Sequence, residues 1–126
     1  MTGKRLRVLL VEDMDDVREV FTMLLTSEGF SVVSTASGRA AIESAARQDF
    51  DVLICDLGLP DLAGDAVIRT ILAGALHRPR VIVVTGFGEP HTTRARQAGA
   101  DVILIKPVTW GILRSHLTPA ALGAVA

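Results

Sequence analysis

The chain has 126 residues, of which 49% are apolar and 21% charged; that is the size and composition of one globular domain, and it excludes a disordered tail protein. Thirteen basic residues against fourteen acidic ones leave a formal net charge of -1, so there is no electrostatic case for binding nucleic acid or an anionic membrane surface. No apolar run is long enough to cross a bilayer, and the apolar start is short and broken by Arg7, which does not suit a signal peptide; the expected location is the cytoplasm, without membrane insertion.

Taken in order, residues 6–11 (LRVLLV) read as a first strand that runs into the acidic stretch 12–16 (EDMDD). A helix follows, because Val17, Val20, Phe21, Leu24 and Leu25 recur at helical spacing; acids at its start suit the helix dipole and Gly29 stops it. Residues 30–35 (FSVVST) make a second strand, and Ser37 is placed to cap an alanine-rich helix to about Gln48, whose small side chains let it lie close to a sheet. The third strand, 52–55 (VLIC), is an unbroken apolar run, as expected of a parallel strand buried on both faces. It ends in Asp56 and in turn residues up to Gly64, after which Ala66, Val67, Ile68, Ile71 and Leu72 mark a third helix to about Ala75. Residues 81–85 (VIVVT) form a fourth strand, and a loop 86–90 (GFGEP) leads into a short polar helix with Pro90 in its first turn and Gly99 beyond its end. Residues 101–105 (DVILI) are the fifth strand, stopped by Lys106-Pro107; a last helix starts near Trp110, with Thr109 as its cap, and fades by Pro119.

Five strands alternating with five helices predict an α/β fold: one five-stranded parallel sheet with helices on both faces and right-handed crossovers. A single domain spans 1–126, with its core at about 5–118 and a tail, or the start of a linker, over 119–126. Cys55 is the sole cysteine, so no internal disulfide is available, and its apolar setting predicts an inert buried thiol. His77, His91 and His116 match no metal-ligand spacing.

Ligands of open α/β sheets bind at the carboxyl ends of the strands. Those ends carry Glu12 and Asp13, then Asp56, Thr85 and Lys106. Each has an ordinary alternative: a solvated loop, a turn-opening aspartate, a strand-end hydroxyl, a surface lysine. Convergence on one edge argues against all four together. Three carboxylates repel unless a cation lies among them, and an all-oxygen set suits Mg²⁺; Lys106 and Thr85 would suit a phosphoryl group beside it.

With these residues in place the chain resembles the receiver domain of two-component response regulators. The similarity rests on Val11-Glu12-Asp13, on the stretch 56–60 (DLGLP) followed by Gly64, on Val84-Thr85-Gly86, and on 98–101 (AGAD) leading to Lys106-Pro107. The resemblance implies a flavodoxin-like (βα)5 receiver fold. It implies Asp56 as phosphoacceptor, taking its phosphoryl group from a phosphohistidine of a sensor histidine kinase or a histidine phosphotransfer protein. Mg²⁺ would be held by Glu12, Asp13, Asp56 and the backbone carbonyl of Gly58. Lys106 would bind a phosphoryl oxygen, Thr85 would reorient onto it, and the Lys106-Pro107 bond would be cis. Two residues depart from the family pattern: Ile103 stands where an aromatic is usual, and Val108 where many members have Phe. They bear on how the phosphorylated state is read out, not on the phosphoryl chemistry.

Other readings fit less well. A haloacid-dehalogenase-like phosphatase needs a second acid at position 58, which is glycine; a mononucleotide-binding module needs a glycine-rich loop where Glu12 and Asp13 stand. A phosphorylation-independent interaction module would lack the acceptor, the acidic pair or the lysine, and all are present. No output domain occurs in the chain, which leaves two forms: a free-standing regulator, or a receiver excised from a hybrid sensor kinase.

Overall fold

The structure is a computed structural model that describes residues 5–123. Five strands, β1 (Arg7–Val11), β2 (Ser31–Thr35), β3 (Val52–Cys55), β4 (Arg80–Thr85) and β5 (Val102–Ile105), form one sheet in the order β2-β1-β3-β4-β5. All four pairings are parallel, with Leu9 opposite both Val33 and Leu53, Leu53 opposite Val81, and Val83 opposite Ile103. Between and after them come α1 (Asp15–Ser27), α2 (Gly38–Arg47), α3 (Gly64–Gly74), α4 (His91–Ala98) and α5 (Trp110–Ser115).

Side chains of a strand alternate between the two faces of its sheet, so an apolar run feeds two cores at once. Leu9, Val11, Leu53, Cys55, Val81 and Val83 point to one face, where Ala41 of α2, Val67, Ile68 and Ile71 of α3, and Ala95 and Ala98 of α4 cover them. Val8, Leu10, Val52, Ile54, Ile82 and Val84 point to the other, beneath Leu25 of α1 and Leu113 of α5. A fully buried Val, Leu or Ile contributes about 1.5–3 kcal/mol, against about 0–1 kcal/mol for an exposed ion pair such as Arg69–Asp65. The two cores therefore hold the sheet, and the surface charges decorate it.

α2 lies close to its neighbours as its small residues predict: a Cβ on Gly38 would come within 2.7 Å of Val67 Cγ2. Ser37 caps this helix by accepting from Ala40 N at 3.2 Å, and Thr109 caps α5 by accepting from Ile112 N at 3.2 Å. Pro90 precedes α4 instead of lying in its first turn; it follows a cis peptide bond and holds the N-cap position. α5 is shorter than the sequence pattern implies, ending at Ser115. Residues 118–123 form a turn, closed by Leu122 N donating to Thr118 O at 2.9 Å, that brings Leu122 against the core beneath α1 and α5. Residues 124–126 of the expected tail lie outside the described residues.

At the amino edge of the sheet two aspartates stand one residue ahead of a strand and bond the strand beside it. Asp51 Oδ2 accepts from Arg7 N at 2.7 Å, and Asp101 Oδ2 accepts from Val81 N at 2.7 Å and from Arg78 Nη1 at 2.9 Å. Each carboxylate thus satisfies a backbone N–H at a strand start.

Candidate functional site

At the opposite, carboxyl edge, β1 delivers Glu12 and Asp13, β3 delivers Asp56, β4 ends in Thr85 and β5 delivers Lys106. The central strands β1 and β3 are adjacent, with Val11 opposite Cys55, so the residues that follow them meet. Asp56 N donates to Val11 O at 3.1 Å, Glu12 N to Thr35 O at 3.0 Å and Lys106 N to Thr85 O at 2.8 Å; the sheet ladder runs on into the site and fixes its backbone. Glu12, Asp13 and Asp56 each offer a carboxylate oxygen, and these oxygens lie within 4.8 Å of one another.

Lys106 Nζ bridges two of the three acids, donating to Asp56 Oδ2 at 2.9 Å and to Glu12 Oε1 at 3.2 Å. The other oxygen of Asp56 accepts from Gly58 N at 3.0 Å. Asp56 therefore opens a turn and also joins the cluster: the two readings of this residue coexist. Glu12 is 4% exposed and Asp56 7%, so both charges sit largely out of water. Burial lifts the Glu12 carboxyl above its ordinary range; the Met14 N–H and Lys106 oppose the lift, and the Asp56 charge adds to it. Burial alone would lower the Lys106 ammonium, but its hydrogen bond to Asp56, the Asp56 charge and then Glu12 outweigh this and raise it. The lysine is thereby held as a fixed cation.

Thr85 is fully buried, and its Oγ1 accepts from Phe87 N at 3.0 Å, which leaves the hydroxyl proton for a second partner. The Lys106-Pro107 bond is cis. Cys55 is fully buried with its thiol pushed far up, first by burial and then by Asp56 and Glu12; it donates to Asp56 O at 3.2 Å and is inert as expected. Ile103 and Val108 are partly buried, the first against the α2–α3–α4 core and the second against the α1–α5 core.

The structural roles of three further residues were not legible in the sequence. Arg18 reaches back from α1 and donates to the acidic loop: its Nη1 donates to Glu12 O at 2.9 Å and its Nη2 to Asp15 Oδ1 at 2.6 Å, so it holds the loop chiefly through its backbone. Asp61 grips α2, with Oδ1 accepting from Gly38 N and Oδ2 from Arg39 N, both at 2.9 Å. These bonds, Arg39 N first, hold its carboxyl below the usual aspartate range. Gly64 lies so close to the acceptor loop that a Cβ there would stand 2.5 Å from Asp56 O and from Leu57 Cα. Arg18 left a trace in the sequence as a lone cation two residues after a five-residue stretch containing four acids, and Gly64 as the glycine that follows the 56–60 stretch.

Asp56, Glu12, Asp13 and Lys106 gathered at the carboxyl edge of a five-stranded parallel sheet define a receiver-type site, and the family profile of the response regulator receiver domain matches residues 8–118. The chain belongs to that family and is a receiver domain of two-component signal transduction. Among curated proteins it is 33% identical over 103 residues to the cell cycle transcriptional regulator CtrA of Caulobacter vibrioides, a match that covers 81% of this chain and 44% of that protein. The chain thus spans less than half the length of the curated relatives it matches. The receiver domain of sensor histidine kinase PA1611 from Pseudomonas aeruginosa, solved with a magnesium ion coordinated in its active site cleft, is 31% identical, with a TM-score of 0.84 over 95% of this chain and 99% of that one. A CheY-like receiver from Methanospirillum hungatei, at 23% identity, shows the fold alone, with a TM-score of 0.89 over 96% of each chain. Among the described residues no helix is long and apolar enough to cross a membrane.

Proposed function

We propose that Asp56 is the phosphoacceptor of this receiver, charged by a phosphohistidine of a sensor histidine kinase or histidine phosphotransfer protein, in a reaction that uses Mg²⁺. The observation that carries this reading is Lys106 Nζ held between Asp56 Oδ2 and Glu12 Oε1 in a cluster of three carboxylates.

The donor set fits the ion. Oxygens around an octahedral Mg²⁺, at about 2.1 Å each, stand roughly 3–4.2 Å apart, and the 4.8 Å limit on the three carboxylate oxygens is within a small side-chain adjustment of that. Burial lifts the Glu12 carboxyl and the Asp56 charge adds to the lift, and a cation among the three acids would favour both carboxylates in their charged form. Glu12, Asp13, Asp56 and the Gly58 carbonyl would hold the ion, which when bound supplies charge neutralisation to the phosphoryl oxygens.

The remaining work falls to the chain's own groups. A carboxylate and a phosphoryl group are both anionic, so the first need is to cancel their repulsion and hold them in line. An Asp56 oxygen forms the new bond to phosphorus as the phosphorus–nitrogen bond of the phosphohistidine breaks, and the electron pair leaves with the imidazole. Lys106, already on Asp56 Oδ2, stabilises charge on the transferring oxygens. The Thr85 hydroxyl donates to a phosphoryl oxygen when it turns from its present partner Phe87 N. Autodephosphorylation by water returns the carboxylate. Incubation with phosphoramidate and Mg²⁺, followed by peptide mapping of the acid-labile phosphate, tests the assignment: the label is expected on Asp56 and to depend on Mg²⁺, and a label on any other residue overturns it.

A further inference from the structure

Of the three clustered acids, Glu12 and Asp56 are each tied down by Lys106, whereas the Asp13 carboxylate has no hydrogen bond or ion pair among the described residues. Its direction is therefore set by its own backbone, that is, by the two planar peptide units on either side of it. Arg18 touches both. Its Nη1 donates to Glu12 O at 2.9 Å, the carbonyl of the unit before Asp13, and reaches Asp13 O at 3.5 Å, the carbonyl of the unit after it. The second unit has a further tie, Met14 N donating to Glu12 Oε2 at 3.2 Å; among the described residues the first has Arg18 alone. The Arg18 side chain is only 20% exposed, and α1 beneath it is anchored in the core by Leu25, so the guanidinium works from a fixed base. Its pair with Asp15 is the lesser contact, because the Asp15 side chain is 78% exposed and water screens it.

We propose that Arg18 is a positioning residue for the metal: by pinning the carbonyls of Glu12 and Asp13 it aims the otherwise untied Asp13 carboxylate at the cation; this rests on Glu12, Asp13 and Asp56 holding Mg²⁺. Groups that orient a metal's ligands without touching the metal are commonly worth a factor of about 10–100 in its affinity. Two properties of the guanidinium act in opposite directions here. Its charge repels a second cation nearby, and its hydrogen bonds aim a ligand at that cation. Loss of the guanidinium therefore tightens Mg²⁺ binding if charge is what counts and weakens it if aim is, so the sign of the effect separates the two.

The test titrates the protein with Mg²⁺ in the absence of any phosphodonor and follows amide chemical shifts, so that it reads the metal alone and does not depend on which residue accepts phosphate. Arg18→Met, which keeps an extended stem and loses the charge and the donors, is expected to weaken Mg²⁺ binding about tenfold. Combined with Asp13→Ala it is expected to add no loss beyond that of Asp13→Ala alone, because the carboxylate it aims is gone. Unchanged or tighter binding by Arg18→Met overturns the proposal. So does a lower melting temperature of the metal-free variant with wild-type Mg²⁺ affinity, which would leave Arg18 a structural role only, and so does an undiminished tenfold loss on top of Asp13→Ala, since the arginine would then act on another group. If Arg18→Met does not fold, Arg18→Lys decides: it keeps the charge with a single donor point and is expected to bind Mg²⁺ more weakly than the wild type, and wild-type affinity overturns the proposal. A wild type that binds no Mg²⁺ at millimolar concentration overturns the metal site and the positioning with it; a wild type that binds Mg²⁺ beside an Arg18→Met protein of equal affinity overturns the positioning alone.

Discussion

The two edges of the sheet treat aspartate in opposite ways. At the amino edge Asp51 and Asp101 each accept from a backbone N–H of the neighbouring strand, at 2.7 Å, and Asp101 also meets Arg78. At the carboxyl edge Glu12, Asp13 and Asp56 crowd together with Lys106 as the cation that pairs with two of them, and the Asp13 side chain has no hydrogen bond or ion pair among the described residues. The same residue type thus closes the sheet at one edge and stores like charge at the other. The lesson is that the cost of gathering carboxylates is tolerated only where a ligand is to relieve it, and that such an edge should gain stability when one of its acids is removed, whereas the other edge should lose it.

The largest break in that comparison is chemical. Asp56→Asn should abolish acid-labile phosphorylation by phosphoramidate while the protein stays folded by circular dichroism; undiminished labelling would remove the acceptor from this edge. Next in size is Asp101→Ala, which strands the buried Val81 N–H and removes the carboxylate partner of Arg78. It should cost about 1–3 kcal/mol in urea unfolding and leave phosphorylation of Asp56 as in the wild type. A variant as stable as the wild type would mean that the amino edge does not depend on its aspartates.

A third experiment sharpens the contrast through the metal. Mg²⁺ at millimolar concentration should raise the melting temperature of the wild type, because a ligand of the folded state stabilises it by mass action. Asp13→Ala should lose most of that rise, and without Mg²⁺ it should melt no lower than the wild type, since it relieves repulsion and breaks no bond. Coincident scans of the wild type with and without Mg²⁺ would count against the cluster as a metal site.

The smallest effect is expected at Asp61, a carboxylate five residues from Asp56 that caps α2. Its folded value lies below the ordinary 3.8, so the capping stabilisation is present above 3.8 and is lost as pH falls through the lower folded value. Asp61→Ala should therefore lower the melting temperature modestly at neutral pH. The gap from the wild type should close as the solution is taken below the ordinary aspartate range; a gap that widens there would assign the effect to something other than the charged cap.

The architecture was legible from residue order because an apolar run that is buried on both faces and a helix that is buried on one leave different periods. The runs 8–11, 52–55 and 81–84 and the spacing of Val67, Ile68 and Ile71 are the two cores written out in one dimension. The strand-end residues Glu12, Asp13, Asp56, Thr85 and Lys106 were legible as well, since a parallel sheet sends every strand end to the same edge whatever its order. Pairing was not. Lys106 and Glu12 are 94 residues apart, and their 3.2 Å contact depends on where the fifth strand and its loop lie beyond β4. Asp56 and Asp61 look alike in sequence; one is buried beside a lysine and the other spans to a helix start that only α2 packed against α3 brings within reach. Nor did any pattern announce that Gly58 leaves room for the Phe87 ring, 29 positions on, or that Gly64 is forced by the carbonyl of Asp56. Local sequence determined which residues enter the core and which face the edge, because periodicity and turn chemistry act over a few residues. Tertiary structure decided which of the edge residues touch, because contacts between distant segments depend on the packing of the whole sheet and its helices.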